Sequence, residues 1–215
     1  MVHLYALAAH PVRLPDDSEL RSVQVDGIDA VWTRGALVTG EATEHEIVAH
    51  AGVVEQIAEL NDAVLPARLG TPYEDERAVR AAVRGRVTQL REALERVRGC
   101  VEMGVRVLKE ETGTGETVAS GGEYMRARLE QIREAERLAG EIQVAVGATA
   151  REAKQQVLAT PQLLLTAAYL VPRDDVQVFR NAVEAMQRRR GDVTIVCTGP
   201  WPPYSFALVE GGPSE

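Results

Sequence analysis

Hydrophobic and polar residues follow two different periods along this chain, and each period predicts a different element. Residues 101–107 alternate valine or methionine with polar residues or glycine, which is the period-two pattern of a strand with one buried face. Further apolar runs predict strands at residues 2–8, 23–25, 28–32, 36–39, 64–69, 163–171 and 193–197. Asp26-Gly27 is a tight-turn signal between two of these runs. The first quarter of the chain is therefore expected to form a small antiparallel meander.

Apolar residues spaced three and four apart predict four helices. The first covers residues 44–60, the second covers residues 72–98 as one helix, and the fourth covers residues 176–190. The third begins near Glu123, and a helical continuation to about residue 157 is expected. The expected apolar face of the first helix consists of Ile47, Ala51, Val54 and Ala58.

The second and third helices each carry a narrow apolar stripe that resembles a coiled-coil seam. The stripe of the second helix consists of Val79, Val83, Val87, Leu90, Leu94 and Val97. The stripe of the third helix consists of Met125, Leu129, Ile132, Ala135, Ala139, Ile142 and Val146. Such stripes mostly pack within the molecule. Pairing with a partner helix, or self-association, stays open as the alternative.

Helix starts carry a repeated capping signal, a hydroxyl residue followed three positions later by glutamate. The pairs are Thr43 with Glu46, Thr71 with Glu74 and Ser120 with Glu123, and Asp174 with Gln177 is a looser case. Pro72 is expected at the first helical position, where its missing N–H costs nothing.

These elements predict an α+β protein of two domains. Residues 1–98 form a small N-terminal α/β sheet domain that ends in a bridging helix. Residues 99–215 form a ferredoxin-like C-terminal domain with long, coiled-coil-like helices and a proline-rich aromatic tail, because consecutive strand–helix–strand crossovers fit that plan.

Composition narrows the class of partner. The chain has 215 residues and a formal net charge of −8, which argues against nucleic acid or an anionic lipid membrane as the main partner. Two cysteines are too few for a disulfide scaffold or a cysteine-based zinc site. We see neither a signal peptide nor a run of ~18 apolar residues, so a cytoplasmic protein is expected.

No residue constellation predicts catalysis, a cofactor or a metal. His45 and His50 are five positions apart on a predicted helix, do not share a face, and are expected at its solvated surface. The glycine-rich stretch at 113–117 lacks the Lys-Ser/Thr of a phosphate loop and is expected to be a connector. Neither a serine elbow nor a cysteine motif is present. The chain is therefore not expected to be an enzyme.

The closing segment, residues 199–206, concentrates aromatic side chains. Three of the nine aromatic residues of the chain, Trp201, Tyr204 and Phe206, lie here among three prolines. The prolines predict that the segment forms neither a helix nor a paired central strand. Two interpretations remain open: the aromatic side chains seal a core, or they form an exposed binding patch.

Four motifs together resemble the gas vesicle protein F/L family. They are Leu4-Tyr5-Ala6, Val64-Leu65-Pro66-Ala67-Arg68-Leu69-Gly70-Thr71, Gly99-Cys100-Val101-Glu102-Met103-Gly104-Val105-Arg106-Val107 and Gly199-Pro200-Trp201-Pro202-Pro203-Tyr204-Ser205-Phe206. The closing motif is the most specific. The chain departs from the family pattern in having Leu69 in place of phenylalanine and Met125 in place of leucine.

The resemblance implies a non-catalytic accessory protein of gas vesicle formation that is cytoplasmic and associated with the vesicle. Its implied partners are the hydrophobic shell protein and other accessory proteins. We expect the interaction residues to be Arg68, Glu102, Trp201, Pro202, Tyr204 and Phe206. The alternative function is a ferredoxin-like small-molecule-binding regulatory module, with the loop at 113–122 as its ligand lid.

Overall fold

The fold combines helices with two antiparallel sheets, which confirms the α+β class. The computed structural model describes residues 1–16, 18–35, 42–70, 72–109, 121–158, 160 and 162–207. The strands are β1 (Val2–Ala9), β2 (Arg21–Val25), β3 (Ile28–Arg34), β4 (Val64–Pro66), β5 (Pro72–Tyr73), β6 (Cys100–Lys109), β7 (Glu152–Val157), β8 (Leu163–Pro172) and β9 (Val193–Trp201). The α-helices are α1 (Glu44–Leu60), α2 (Glu76–Gly85), α3 (Val87–Val97), α4 (Gly121–Val146), α5 (Val176–Arg189) and the single turn α6 (Tyr204–Ala207).

The chain forms two compact units. The first comprises Met1–Cys100 together with the closing segment from Trp201, and the second comprises Val101–Pro200. From Trp201 onward the closing segment is thus grouped with the first unit, whereas the sequence-based division placed all of it in the domain of residues 99–215. The physical reason is contact, because α6 packs against β4 and α3.

The sheet of the first unit has the order β2-β3-β1-β4, and β5 pairs with the first two residues of β1. β2 and β3 are joined by the predicted tight turn, in which Asp26 and Gly27 both adopt left-handed backbone angles (φ 48° and 81°). Such a turn matches the twist of a hairpin. β1 lies between β3 and β4, so the first three strands do not follow one another as a simple meander. The predicted strand at residues 36–39 lies outside the described residues.

Helix α1 has the predicted bounds and the predicted cap. The Thr43 hydroxyl accepts from the backbone N–H of Glu46, whose carboxylate accepts from the Thr43 backbone N–H at 2.8 Å. The inward face is rotated from the expected one. Ile47 is 52% exposed, whereas His50 and Ile57 are buried. Helix α1 therefore buries a histidine that its sequence pattern assigns to solvent.

The predicted second helix is interrupted. It forms α2 and α3, separated at Arg86, whose backbone (φ −130°, ψ 18°) leaves the helical region directly after Gly85. Its start also differs from the expectation, because Pro72 pairs with β1 as part of β5. Asp75 caps α2 by accepting from the backbone N–H of Ala78 at 2.9 Å.

Three other predictions need correction. Residues 152–157 form strand β7, paired antiparallel with β8, and do not continue a helix. Asp174 lies in a 3-10 turn before α5, and no side-chain hydrogen bond caps that helix. The strand at 64–69 ends at Pro66. The capping serine of the third helix, Ser120, lies outside the described residues.

The second unit packs α4 and α5 with a sheet of order β7-β8-β6-β9. The predicted alternation along β6 is confirmed, with Met103, Val105 and Val107 fully buried. Tyr169 and Phe179 are also fully buried, with ring centroids 5.2 Å apart. The buried residues of helix α4 begin at Ala135, and half-buried Ile132 packs against the edge of this core.

Arg190, just after α5, joins the second half of α4 to the end of α5. Its guanidinium lies 3.0 Å from both Glu134 and Glu141 of α4, and 3.1 Å from Asp192. Its side chain is only 16% exposed. Because a guanidinium can serve several carboxylates in fixed geometry, this ion-pair network holds the two helices in register.

We expect that only glycine fits at position 104, because a residue of β9 lies close to it. An added Cβ would lie 2.5 Å from Oγ1 of Thr198, so the threonine must change its rotamer or the strands must separate. We predict that Gly104→Ala destabilises the protein by about 1–2 kcal/mol in urea unfolding. In a Thr198→Ala background the same change should cost about 0.5 kcal/mol or less. Equal costs in both backgrounds would contradict this explanation.

Candidate interaction surface

The closing segment divides into an anchored part and an exposed part. Phe206 is fully buried, and its carbonyl accepts from the guanidinium of Arg96 on α3 at 2.8 Å. Pro202 and Pro203 are buried as well. The carbonyls of these prolines accept from the backbone N–H groups of Tyr204 and Phe206 and shape the single turn α6. The prediction that the segment forms no helix is therefore wrong for residues 204–207, because all three prolines precede this turn.

Tyr204 lies at the margin of the anchored part. Burial raises the pKa of its phenol to about 12, and the negative charge of Glu55 on α1 adds to the effect. Trp201 is different, because 47% of its surface is exposed. Core sealing thus describes Phe206 and Pro202, whereas Trp201 faces solvent, and the binding patch stays a prediction.

Arg68 and Glu102, the two charged motif residues expected to take part in interactions, belong to different units. Arg68 is exposed and follows β4, the strand that α6 contacts, so it belongs to the same unit as Trp201. Glu102 is half-buried on β6 and belongs to the second unit. Within the first unit, the structure therefore groups Arg68 with Trp201, Pro202, Tyr204 and Phe206.

A histidine–tyrosine cluster, which the sequence pattern does not reveal, joins β1 to α1. Nε2 of His3 lies 2.9 Å from Nδ1 of His50, and the ring of Tyr5 stacks on His50 with centroids 5.2 Å apart. Nε2 of His50 lies 3.0 Å from the carbonyl oxygen of Ala67, directly before Arg68. The expectation that His50 lies at the solvated surface is therefore wrong.

Hydrogen bonding fixes the tautomers in this cluster. A carbonyl can only accept, so Nε2 of His50 carries the proton that it donates to Ala67. Nδ1 of neutral His50 is then unprotonated and accepts from Nε2–H of His3. Burial lowers the pKa of His50, although the bond to Ala67 opposes the shift, and burial together with the charge of His50 lowers the pKa of His3. Both shifts favour the neutral forms of the two rings.

Other kinds of site have less support in the described part of the chain. It contains no group of three or more His, Cys, Asp or Glu side chains arranged to hold a metal ion. None of its helices combines the length and apolar character needed to cross a membrane. The expected ligand lid at 113–122 lies outside the described residues, except for Gly121 and Gly122, which begin α4.

Comparison with known proteins identifies the family. A family model described as gas vesicle synthesis protein GvpL/GvpF matches residues 2–208. The chain belongs to the GvpL/GvpF family. The resemblance drawn from the four motifs is thereby confirmed, and a role in gas vesicle formation follows for this GvpL/GvpF protein.

Relatives of both the F and the L type resemble this GvpL/GvpF protein. Gas vesicle protein F2 of Halobacterium salinarum is 27% identical over 99% of this chain and 95% of its own length. Gas vesicle protein L of a Streptomyces species is 30% identical over 83% of this chain and 80% of its own length. The alignments thus extend over most of both proteins.

The fold is that of solved GvpF structures. GvpF from Anabaena sp. PCC7120 superimposes with a TM-score of 0.81 at 19% identity, covering 100% of this chain and 98% of that one. GvpF from Microcystis aeruginosa gives a TM-score of 0.79 at 19% identity, covering 97% of this chain and 99% of that one. The arrangement of helices and sheets is therefore retained at low sequence identity.

Replacing one side chain by alanine in each part of the closing segment should distinguish the anchored part from the exposed part. We predict that Phe206→Ala lowers the free energy of unfolding by about 3–5 kcal/mol, because it empties a fully buried site. Trp201→Ala should lower it by about 1 kcal/mol or less, since half of the ring is already in water. Chemical denaturation of both variants measures the difference. Similar losses would mean that Trp201 is also part of the core.

The histidine cluster should make stability depend on pH. Because the pKa of folded His50 is below its ordinary value of 6.5, the unfolded chain binds more protons between those two values. The contribution of neutral His50 to the free energy of unfolding is complete above pH 6.5 and is lost as the pH falls below 6.5. We predict that His50→Gln flattens the fall in urea midpoint between about pH 7.5 and about pH 5.5. Exposed His45→Gln is the matched control, and parallel curves for wild type and His50→Gln would contradict the assignment.

Proposed function

We propose that this protein is a non-catalytic accessory factor of gas vesicle formation that binds the hydrophobic shell protein and other accessory proteins. The observation that carries the proposal is an exposed tryptophan on an anchored segment, in a chain of the GvpL/GvpF family. We place its activity in the cytoplasm, at the growing vesicle.

A shell subunit that will line a gas space must keep apolar surface out of water before it assembles. A partner that covers part of that surface stabilises the unassembled subunit, at about 25 cal/mol per Å² of apolar area removed from water. Association also costs several kcal/mol in lost freedom, so a preorganised partner binds better than a mobile one.

Trp201 meets this requirement for preorganisation. The next residue, Pro202, is buried, and Phe206 is held by the core and by Arg96. The backbone on one side of the indole is therefore fixed before binding, and little conformational entropy remains to be lost. Tryptophan is also among the residues most enriched at the energetic centres of protein interfaces.

We further propose a ferredoxin-like plan for the second unit. Its elements follow the order β6-α4-β7-β8-α5-β9, and its sheet order is β7-β8-β6-β9. This is the split strand–helix–strand arrangement expected for such a fold. In this proposal the second unit supplies a rigid platform and not a catalytic site.

Co-expression with the major gas vesicle shell protein, followed by pull-down, tests the proposed binding. We expect the wild-type chain to capture the shell protein. Trp201→Ala should lower the affinity by about tenfold or more, because it removes an interfacial anchor worth about 1.4 kcal/mol. Leu60→Ala is the matched control, because Leu60 is also an exposed apolar residue of the first unit. Thermal unfolding of each variant verifies that it is folded.

Two outcomes would contradict this proposal in different ways. If the folded wild-type chain fails to capture the shell protein, direct binding is wrong. If capture occurs and Trp201→Ala binds as well as Leu60→Ala does, the closing segment is not the binding surface.

A further inference from the structure

Apolar side chains are exposed along the first half of α4, whereas those on the inward face of its second half are buried. Tyr124 and Met125 are each 57% exposed, and Leu129 is 49% exposed. Ile132 is half-buried and packs at the edge of the core. From Ala135 to Val146 the inward face of the same helix is buried. The described part of the second unit thus covers only the second half of this 26-residue helix.

Met125, Leu129 and Ile132 form one stripe. Their spacing of four and three residues places them on a single face of the helix, at d, a and d positions of a heptad. We call these three residues the α4 stripe. An apolar stripe of this kind normally packs against a second helix.

The charged residues at the e and g positions that flank the α4 stripe all have one sign, and Glu136 lies beyond the stripe at the next a position. Arg126, Arg128 and Arg133 occupy the e and g positions that flank it, whereas Glu123 and Glu130 lie at the outer b positions. Within the described residues these three arginines form no ion pair. By contrast, Arg137 in the covered half lies 2.6 Å from Glu134 and 2.8 Å from Glu141.

We infer that the α4 stripe binds an amphipathic helix of another protein whose apolar face is flanked by glutamate or aspartate. Such a helix would bury Met125 and Leu129 and place its carboxylates opposite Arg126, Arg128 and Arg133. A second copy of this chain fits worse, because pairing two α4 stripes in either direction brings arginines together. The inference goes beyond the proposed function: it names a second surface, on the second unit, and the charge of its partner.

Two synthetic helical peptides test the inference against the full chain. Both carry leucine and isoleucine at a and d; one has glutamate at e and g, and the other has lysine. We expect the acidic peptide to bind at least about tenfold more tightly in fluorescence anisotropy, with an affinity that falls as salt is added. Leu129→Asp should abolish its binding.

A charge reversal supplies the sharper comparison. The triple variant Arg126→Glu, Arg128→Glu, Arg133→Glu should invert the preference and bind the basic peptide. The matched control is Arg77→Glu, Arg84→Glu, Arg188→Glu, which changes the net charge equally at exposed helical positions elsewhere and should keep the wild-type preference. Circular dichroism verifies that each variant is folded.

Three results would overturn the inference. One is binding of neither peptide, which would mean that the stripe is not available to a partner helix. Another is equal binding of both, which would mean that the arginines select nothing. The third is a wild-type dimer in sedimentation equilibrium that Leu129→Asp dissociates, since the occupant would then be a second copy. None of these experiments involves Trp201 or the shell protein, so their failure is distinct from failure of the proposed function.

Discussion

Each unit is organised around an interior strand that buries alternate side chains, β1 in the first and β6 in the second. Along β1 the buried positions are Val2, Leu4, Ala6 and Ala8, and along β6 they include Met103, Val105 and Val107. With aromatic residues at 4% of the chain, aliphatic side chains supply most of the apolar surface that folding removes from water. Because the side-chain period of a strand is two, a shift of either strand by one residue would turn its buried set toward the opposite face. β1 pairs directly with β3, β4 and β5, and β6 lies between β8 and β9.

The sequence predicts the strongly periodic elements well and misses those that depend on partners. The bounds of α1 follow from its capping signal together with apolar spacing, and the alternation of β6 follows from spacing alone. β7 has no apolar pattern, because it is an edge strand without a buried residue, and its place is set by its backbone pairing with β8. The interruption at Arg86 is equally hidden, since the apolar spacing continues across it and only the preceding glycine hints at a break. Pro72 fits a helix start by local chemistry but pairs with β1, a partner that lies about 70 residues earlier in the chain.

The closing motif shows the same division between local and long-range information. Its aromatic content could be read directly from the chain, but which rings are buried depends on α3 and β4. Phe206 is covered there and Trp201 is not. The pairing of His3 with His50 needs a strand and a helix 47 residues apart, and helical spacing alone assigns His50 to solvent. The bond from His50 to Ala67 then ties that cluster to the backbone beside Arg68, so a residue that appears unremarkable in the sequence helps to position a family motif.

The three arginines beside the α4 stripe belong to a protein whose net charge is −8. At physiological ionic strength a charge is screened beyond roughly 8 Å. A negatively charged molecule approaching from a distance therefore meets weak repulsion from the chain as a whole, and it meets local attraction only where it comes within that range of α4. Charge arranged in this way favours encounters in which the negatively charged molecule meets α4. The negative charge of the rest of the chain disfavours the other ways in which two acidic proteins can touch, so an acidic helix would be accepted at α4 and repelled elsewhere.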